Sequence, residues 1–181
     1  MDPEIGTINQ DLRSGDRETI LRALAALSSV VKDGRMDISS IGPLNDLLMS
    51  EDQEIKKEAL LILGKHALKK VGDGSSIPIL HELLRDKDPE VRENAAWALG
   101  EMAGFEVCEL CTPYYLTFLL KDETAEVRAM AAWALGRFAE RVGVGRNDSL
   151  ALLKTLLNDE SQLVRKGAEW AISRFKEIGF E

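Results

Sequence analysis

The chain has 181 residues, of which 45% are hydrophobic and 30% charged, so it is long enough to bury a core of its own. Acidic residues outnumber basic ones by 31 to 23, and the net charge of −8 argues against general binding to nucleic acid or to an anionic membrane. No apolar run is long enough to cross a bilayer, and the N-terminus lacks the basic and apolar regions of a signal peptide. A cytoplasmic protein is therefore expected.

One segment recurs along the chain with a nearly constant period. Residues 88–103 return thirty-six positions later as residues 124–139, with ten of the sixteen positions identical. A degraded copy follows at residues 161–176. Self-similarity at a period of about 20–50 residues is typical of stacked-repeat solenoids.

Two further copies lie upstream, because Ala95 has counterparts thirty-six and seventy-two positions earlier at Ala59 and Ala23. A second set of leucines keeps the same spacing, with one inserted residue before the last unit: Leu12, Leu48, Leu84, Leu120 and Leu157. Two sets with one period predict five units in a single domain. The predicted units are approximately 3–31, 38–68, 75–103, 112–139 and 148–178.

Each unit is predicted to contain two helices, A and then B. The five B helices are predicted to begin at residue types whose side chains accept hydrogen bonds from free backbone amides: Asp16, Asp52, Asp88, Thr124 and Ser161. Within B, Val91, Ala95 and Leu99 are spaced as part of one apolar stripe. A single helix pair cannot cover such a stripe, whereas a stack of pairs can, so an all-α fold is predicted.

The string Val-Arg-x-x-Ala-Ala-Trp-Ala-Leu-Gly after an Asp-rich turn resembles HEAT repeats, and most of all the short HEAT-like type found in phycobilin lyases. The resemblance covers essentially the whole chain. It implies an α-solenoid wound as a right-handed superhelix, with the A helices on the convex side and the B helices on the concave side. It also implies a scaffold for protein recognition.

The same resemblance implies a structural ladder between neighbouring units, formed by an Asp in the A–B turn and an Arg on helix B. Units one and two depart from this pattern, since Ser14 and Ser50 replace the Asp while Ile20 and Lys56 replace the Arg. Less regular stacking is expected there. The ladder residues implied by the resemblance are Asp86, Asp122, Asp159, Arg92, Arg128 and Arg165.

The side of each B helix opposite the apolar stripe is expected to form an open concave surface. One tryptophan per unit recurs on it in units three to five, and each indole is expected to anchor a partner, to pack against the adjacent B helix, or to do both. The predicted partner-binding residues are Trp97, Trp133, Trp170, Glu90, Glu93, Asn94, Glu101, Met130, Arg137, Lys166 and Arg174.

Charge is uneven along this inferred surface. Units one to three place more glutamates than basic residues on it, whereas units four and five place Arg137, Lys166 and Arg174 against Glu126. An acidic half followed by a basic half suits a partner with its own charge gradient. The alternative is an ordinary solvated helix surface.

Neither the cysteines nor the histidines predict chemistry. Cys108 and Cys111 supply half of a zinc site, so structural thiols are expected, with zinc shared between two chains as the alternative. His66 falls at an inward position of its unit. The pair of His81 and Glu82 resembles the His-Glu pairs of deoxyhypusine hydroxylases, which need several such pairs to hold two irons. No cofactor, metal or catalytic residue is predicted.

The sequence therefore predicts a non-catalytic scaffold whose concave groove binds a protein or peptide. One alternative is an accessory or lyase-like factor that cradles an aromatic or tetrapyrrole ligand against the indoles. A nucleic-acid reader is disfavoured, because units one to three lack a basic groove. Self-association through the terminal repeats is a further possibility, since no repeat covers the last B helix.

Overall fold

The computed structural model describes residues 2–105 and 111–181. Ten α-helices and one short 3-10 helix, Ile38–Ser40, account for the regular structure of these residues, and no strand occurs among them. The A helices are α1 (Pro3–Asp11), α3 (Ile41–Leu48), α5 (Ile77–Leu83), α7 (Thr112–Leu119) and α9 (Asn147–Leu156). The B helices are α2 (Arg17–Lys32), α4 (Gln53–Leu68), α6 (Pro89–Glu101), α8 (Ala125–Val142) and α10 (Gln162–Glu177).

The helices stack as an α-solenoid of five two-helix units, which confirms the fold class predicted from the repeat. Each A helix packs on the B helix of its own unit, and each B helix packs on the B helices before and after it. Neighbouring B helices are in closer contact than neighbouring A helices. The B helices therefore form a continuous inner layer, and we call its open side the inner face.

Aspartates begin most of the B helices, although not all of them in the predicted way. The carboxylates of Asp16, Asp52 and Asp88 accept backbone amide hydrogen bonds at 2.9 Å. Thr124 and Ser161 occupy the same position, but their side chains make no cap hydrogen bond. The aspartate two residues earlier accepts the amide of each instead, at 2.9 Å.

The predicted apolar stripe forms the core. Val91, Ala95 and Leu99 of α6 are fully buried, and so are their counterparts in α4 and α8. The recurring leucine at the C-terminal end of each A helix is buried in units one to four, whereas Leu157 of the last unit, on which no described unit stacks, is 37% exposed. Stacking therefore supplies the burial that one unit lacks.

The predicted ladder of arginines on the B helices and aspartates in the A–B turns, which we call the turn-level ladder, joins units three, four and five. Arg128 of α8 donates through Nε and Nη2 to the carboxylate of Asp159 at 2.9 and 3.0 Å. Its Nη1 donates to the backbone carbonyls of Asp122 and Glu123 in its own turn. Arg92 repeats this arrangement with Asp122 at 2.8 and 2.9 Å. Two carbonyls hold each guanidinium so that its outer edge meets the next unit's carboxylate.

The ladder changes at both ends of the array. Lys56 keeps the ion pair in unit two, because its Nζ donates to Asp86 at 2.9 Å. Arg165, expected to be a ladder residue, donates only to the carbonyls of Asp159 and Glu160. No described carboxylate forms an ion pair with Arg165, and no described unit packs beyond α10.

We predict that replacing Asp159 with Asn lowers the free energy of unfolding by about 2–3 kcal/mol at neutral pH, because it leaves the poorly exposed Arg128 guanidinium without its carboxylate. The amide oxygen can still accept the Ser161 amide, so the helix start is preserved. Hydrogen bonds from Arg128 lower the pKa of Asp159. The wild-type advantage should therefore be present above the ordinary Asp pKa of about 3.9 and be lost as the pH falls through the lowered value.

Urea unfolding at neutral and acidic pH measures this difference. The control is Asp148→Asn, whose ion pair with Arg146 is solvent-exposed and should contribute less than about 1 kcal/mol. Equal destabilisation by the two variants would contradict a structural role for the ladder.

Candidate functional site

The inner face is built from four positions that recur in each B helix. In α6 they are occupied by Glu90, Glu93, Asn94 and Trp97, which are exposed or half-buried. They lie on the side of the helix opposite Val91, Ala95 and Leu99, as the helical period requires. The side chains at these positions therefore lie outside the buried stripe that forms the core.

Glu101 was expected on the same surface, and this prediction is wrong. Its side chain is only 4% exposed. Arg141 and Arg137 of α8 donate to its Oε2 at 2.9 and 3.3 Å, and Arg141 also donates to its carbonyl at 2.8 Å. Burial raises the pKa of the Glu101 carboxyl, and the charge of Arg137 offsets part of that effect. The two arginines of the next unit cover Glu101 and remove it from the inner face.

Each tryptophan of the inner face packs on a glycine of the preceding B helix. A Cβ atom added to Gly100 would lie 2.6 Å from Cζ3 of Trp133, and one added to Gly136 would lie 2.3 Å from Cζ3 of Trp170. Trp97 approaches Gly64 in the same way. No side chain larger than hydrogen fits beneath these rings. One side of each indole therefore serves helix packing, while the residue as a whole stays half-buried.

Arginines cover another part of two of these rings. The guanidinium of Arg137 lies 5.4 Å from the ring centroid of Trp133, and that of Arg174 lies 6.0 Å from that of Trp170. The two rings are 6.5 Å apart and nearly parallel, at 17°. Glycine and arginine contacts thus fix the orientation of both indoles.

The remaining part of the two indoles borders a groove between α8 and α10, with a volume of about 300 Å³. We call it the α8–α10 groove. Its lining is mostly apolar, with charged groups at the edges. The lining residues are Glu93, Glu126, Ala129, Met130, Trp133, Leu163, Lys166, Gly167 and Trp170.

The groove gathers only part of the predicted surface. Five predicted residues line it: Glu93, Met130, Trp133, Lys166 and Trp170. Glu90, Asn94, Trp97, Arg137 and Arg174 lie outside its lining, although they remain partly or fully exposed.

Three lining residues were missed by the sequence reasoning: Ala129, Leu163 and Gly167. Glu126 was placed on the inferred surface but was not among the predicted partner-binding residues. The repeat itself carried the signal for these residues. Glu126 and Leu163 occupy the position of Glu90, and Gly167 that of Asn94, one or two units later.

Glu93 and Glu126 form the acidic edge of the groove, where their like charges repel each other. Burial raises the pKa of Glu93, and the neighbouring carboxylates of Glu126 and Glu90 raise it further. Glu90 has a cationic partner, because Nζ of Lys57 lies 2.6 Å from its Oε2. Neither Glu93 nor Glu126 forms an ion pair with any described residue.

The other candidate residues, the cysteines and histidines, form no metal-binding cluster within the described part of the chain. Cys108 lies outside the described residues, and Cys111 is an exposed free thiol. Within residues 2–105 and 111–181, no three potential metal ligands gather together. The imidazole of His66 is buried and bonded to the Ile62 carbonyl at 2.9 Å, and burial lowers its pKa. His81 contacts the Thr112 hydroxyl at 2.9 Å and stacks on Tyr115.

None of the described helices is both long enough and apolar enough to cross a membrane.

Comparison with known proteins links this architecture to a family. A family model described as HEAT repeats matches residues 41–110 and 112–179. No curated protein sequence is significantly similar to the chain. Solved structures are similar, and several of them are designed repeat proteins.

A designed armadillo repeat protein in complex with the peptide (KR)4 is 27% identical, with a TM-score of 0.75 over 97% of this chain and 88% of that one. A computationally designed armadillo repeat protein for modular peptide recognition is 25% identical, with a TM-score of 0.74 over the same fractions. Human deoxyhypusine hydroxylase is 21% identical, with a TM-score of 0.58 over 97% of this chain and 64% of the enzyme. That last similarity shows a shared fold alone.

We predict that Gly100→Ala destabilises the protein by about 1–3 kcal/mol, although alanine is ordinarily the better helix former. The reason is the new Cβ atom, which would press on the Trp133 ring and lie 3.1 Å from the backbone of Ala134. Thermal unfolding followed by circular dichroism measures the loss. Gly42→Ala on α3 is the matched control, since its Cβ would meet nothing closer than 3.6 Å. A melting temperature that rises in both variants would refute the close approach of α6 and α8.

Proposed function

Because this chain belongs to the HEAT-repeat family, whose model matches residues 41–110 and 112–179, we propose that it is a non-catalytic scaffold. Its partner is a protein or a peptide, and the binding site is the α8–α10 groove of the inner face. The proposal is carried by one observation: an apolar groove that stays open to solvent beside two ordered indoles.

The apolar character of the groove is not required by the repeat. Leu163 is 55% exposed, yet the same position holds a glutamate in each of the other four units: Glu18, Glu54, Glu90 and Glu126. A solvated helix surface is normally polar, so an exposed leucine at the mouth of an apolar groove favours contact with a partner. Covering such surface stabilises a complex by roughly 25 cal/mol per Å².

The indoles suit the role of anchors because they are already held in place. Trp133 and Trp170 pack on glycines on one side and lie beneath arginines on another. A side chain that is ordered before binding loses little conformational entropy when the partner arrives. Tryptophan is also among the residues that contribute most to binding energy in protein interfaces.

The similar solved structures support the same class of function. Two of them are designed armadillo repeat proteins, one bound to the peptide (KR)4 and one made for modular peptide recognition. Both cover nearly the whole of this chain. A stack of helical units with an accessible inner face is thus a framework on which peptide binding has been built.

We predict that Met130→Glu reduces partner capture at least tenfold while leaving the melting temperature within a few degrees of wild type. Met130 is half-buried at the groove, so a carboxylate there opposes apolar contact without entering the core. Affinity capture from a cell lysate, with quantified recovery of the captured proteins, measures the effect. The control is Met49→Glu, which adds the same charge at a 57%-exposed position on α3's C-terminal end.

Equal capture by the two variants would contradict the proposed site. Alanine at the three tryptophans is a less clean test, because removing Trp133 or Trp170 also uncovers Gly100 or Gly136. A loss of capture would then mix lost contact with lost stability.

A further inference from the structure

We propose that the segment bound in the α8–α10 groove carries a lysine or arginine next to its apolar anchor residue, and that Glu93 and Glu126 receive this cation. The inference rests on the proposed function, since it concerns the partner of the same groove. It follows from comparing one pair of positions across successive units of the solenoid.

In units two and three the two positions hold Lys57 and Glu90, which form an ion pair. Nζ of Lys57 on α4 lies 2.6 Å from the carboxylate of Glu90 on α6, and 2.6 Å from that of Asp88. Between units one and two, the carboxylate of Glu54 is likewise paired, in this case with Arg17. Each glutamate is therefore neutralised by a cation from the preceding unit.

One unit further on, the cation is replaced by a second anion. The counterparts of Lys57 and Glu90 are Glu93 on α6 and Glu126 on α8. The two carboxylates repel each other, and this repulsion contributes to the raised pKa of Glu93. No described residue forms an ion pair with either of them, and the counterpart of Asp88 is the uncharged Thr124. A position that holds an ammonium group between α4 and α6 thus lacks one between α6 and α8.

The next step in the series is apolar and forms the groove itself. Here the counterparts are Ala129 on α8 and Leu163 on α10, which both line the α8–α10 groove together with Met130. The uncompensated carboxylates therefore lie directly beside an apolar surface. A partner that covers the groove with an apolar side chain brings its neighbouring residue close to Glu93 and Glu126.

Charge complementarity selects the occupant. A basic residue would relieve the repulsion between the two carboxylates, whereas an acidic one would add to it. A divalent cation is a poorer fit, because two carboxylates supply few of the six to eight oxygen ligands that calcium takes. Lys166 is the next member of the series after Ala129 and also lines the groove, so α10 contributes a cation to the lining and no carboxylate.

The test is selection from a random dodecapeptide library displayed on phage, against four versions of the full chain. Wild type should enrich peptides that combine an apolar residue with a nearby lysine or arginine. The double variant Glu93→Gln/Glu126→Gln should still enrich apolar residues but should lose the excess of basic ones. Its affinity for the best wild-type peptide should fall about three- to tenfold at low salt, and less at high salt.

Two further versions separate the possible failures. Lys166→Gln removes a charge from the groove lining without touching the acidic edge, so it should keep the preference for basic residues. Met130→Glu should enrich nothing above background. Wild-type peptides without a basic excess would overturn this inference and leave the proposed function standing. Equal enrichment by wild type and Met130→Glu would overturn the proposed function as well.

The free protein gives a second readout that needs no ligand. Because Glu93→Gln relieves a repulsion between carboxylates, it should raise the melting temperature by about 1 °C or more. Glu54→Gln, at the position of unit two equivalent to Glu126, is the matched control, and it should not raise the melting temperature because it removes a carboxylate that is paired with Arg17. A melting temperature unchanged or lowered in Glu93→Gln would contradict the repulsion on which the inference depends.

Discussion

Close approach between neighbouring B helices is the constraint on which the rest of this structure depends. An indole from one unit lies against a glycine of the unit before, at Gly64, Gly100 and Gly136, and no Cβ atom fits between them. This contact sets the separation of α4, α6, α8 and α10, and it buries apolar surface that no single unit can bury alone. The spacing of the helices then determines the width of every groove on the inner face.

Packing between units and the exposed inner face therefore depend on largely different positions of the B helices. The buried stripe and the turn-level ladder of Arg92 and Arg128 repeat with little change, because they hold one unit to the next. Apart from the tryptophans, the positions on the inner face are free of that requirement, and they differ from unit to unit. One pair of positions changes from Lys57 and Glu90 to Glu93 and Glu126 and then to Ala129 and Leu163. Variation at positions that packing leaves free is where a repeat protein acquires selectivity.

The sequence predicted the architecture well because the repeat and the helix pattern are properties of nearby residues. Two positions show the limit of prediction from sequence. Glu101 follows the helical period of the exposed residues, yet Arg137 and Arg141 of the next unit cover it. Leu157 follows the period of buried leucines, yet it is exposed because no described unit stacks on it. Both outcomes depend on the neighbouring unit, and the location of the groove depends on which side of each indole that neighbour occupies.

The two carboxylates at the edge of the groove illustrate how a stacked protein acquires a binding preference. A cross-unit ion pair such as Lys57 with Glu90 contributes little to stability on an accessible surface, so its loss is tolerated easily. With Glu93 in place of the lysine, opposite Glu126, the free protein loses a small amount of stability, and neither carboxylate has a cationic partner among the described residues. The ladder and the core stabilise the fold by more than this repulsion destabilises it, because their residues are more completely buried. The array therefore tolerates the repulsion between Glu93 and Glu126, and a partner that placed a cation beside them would relieve that repulsion on binding.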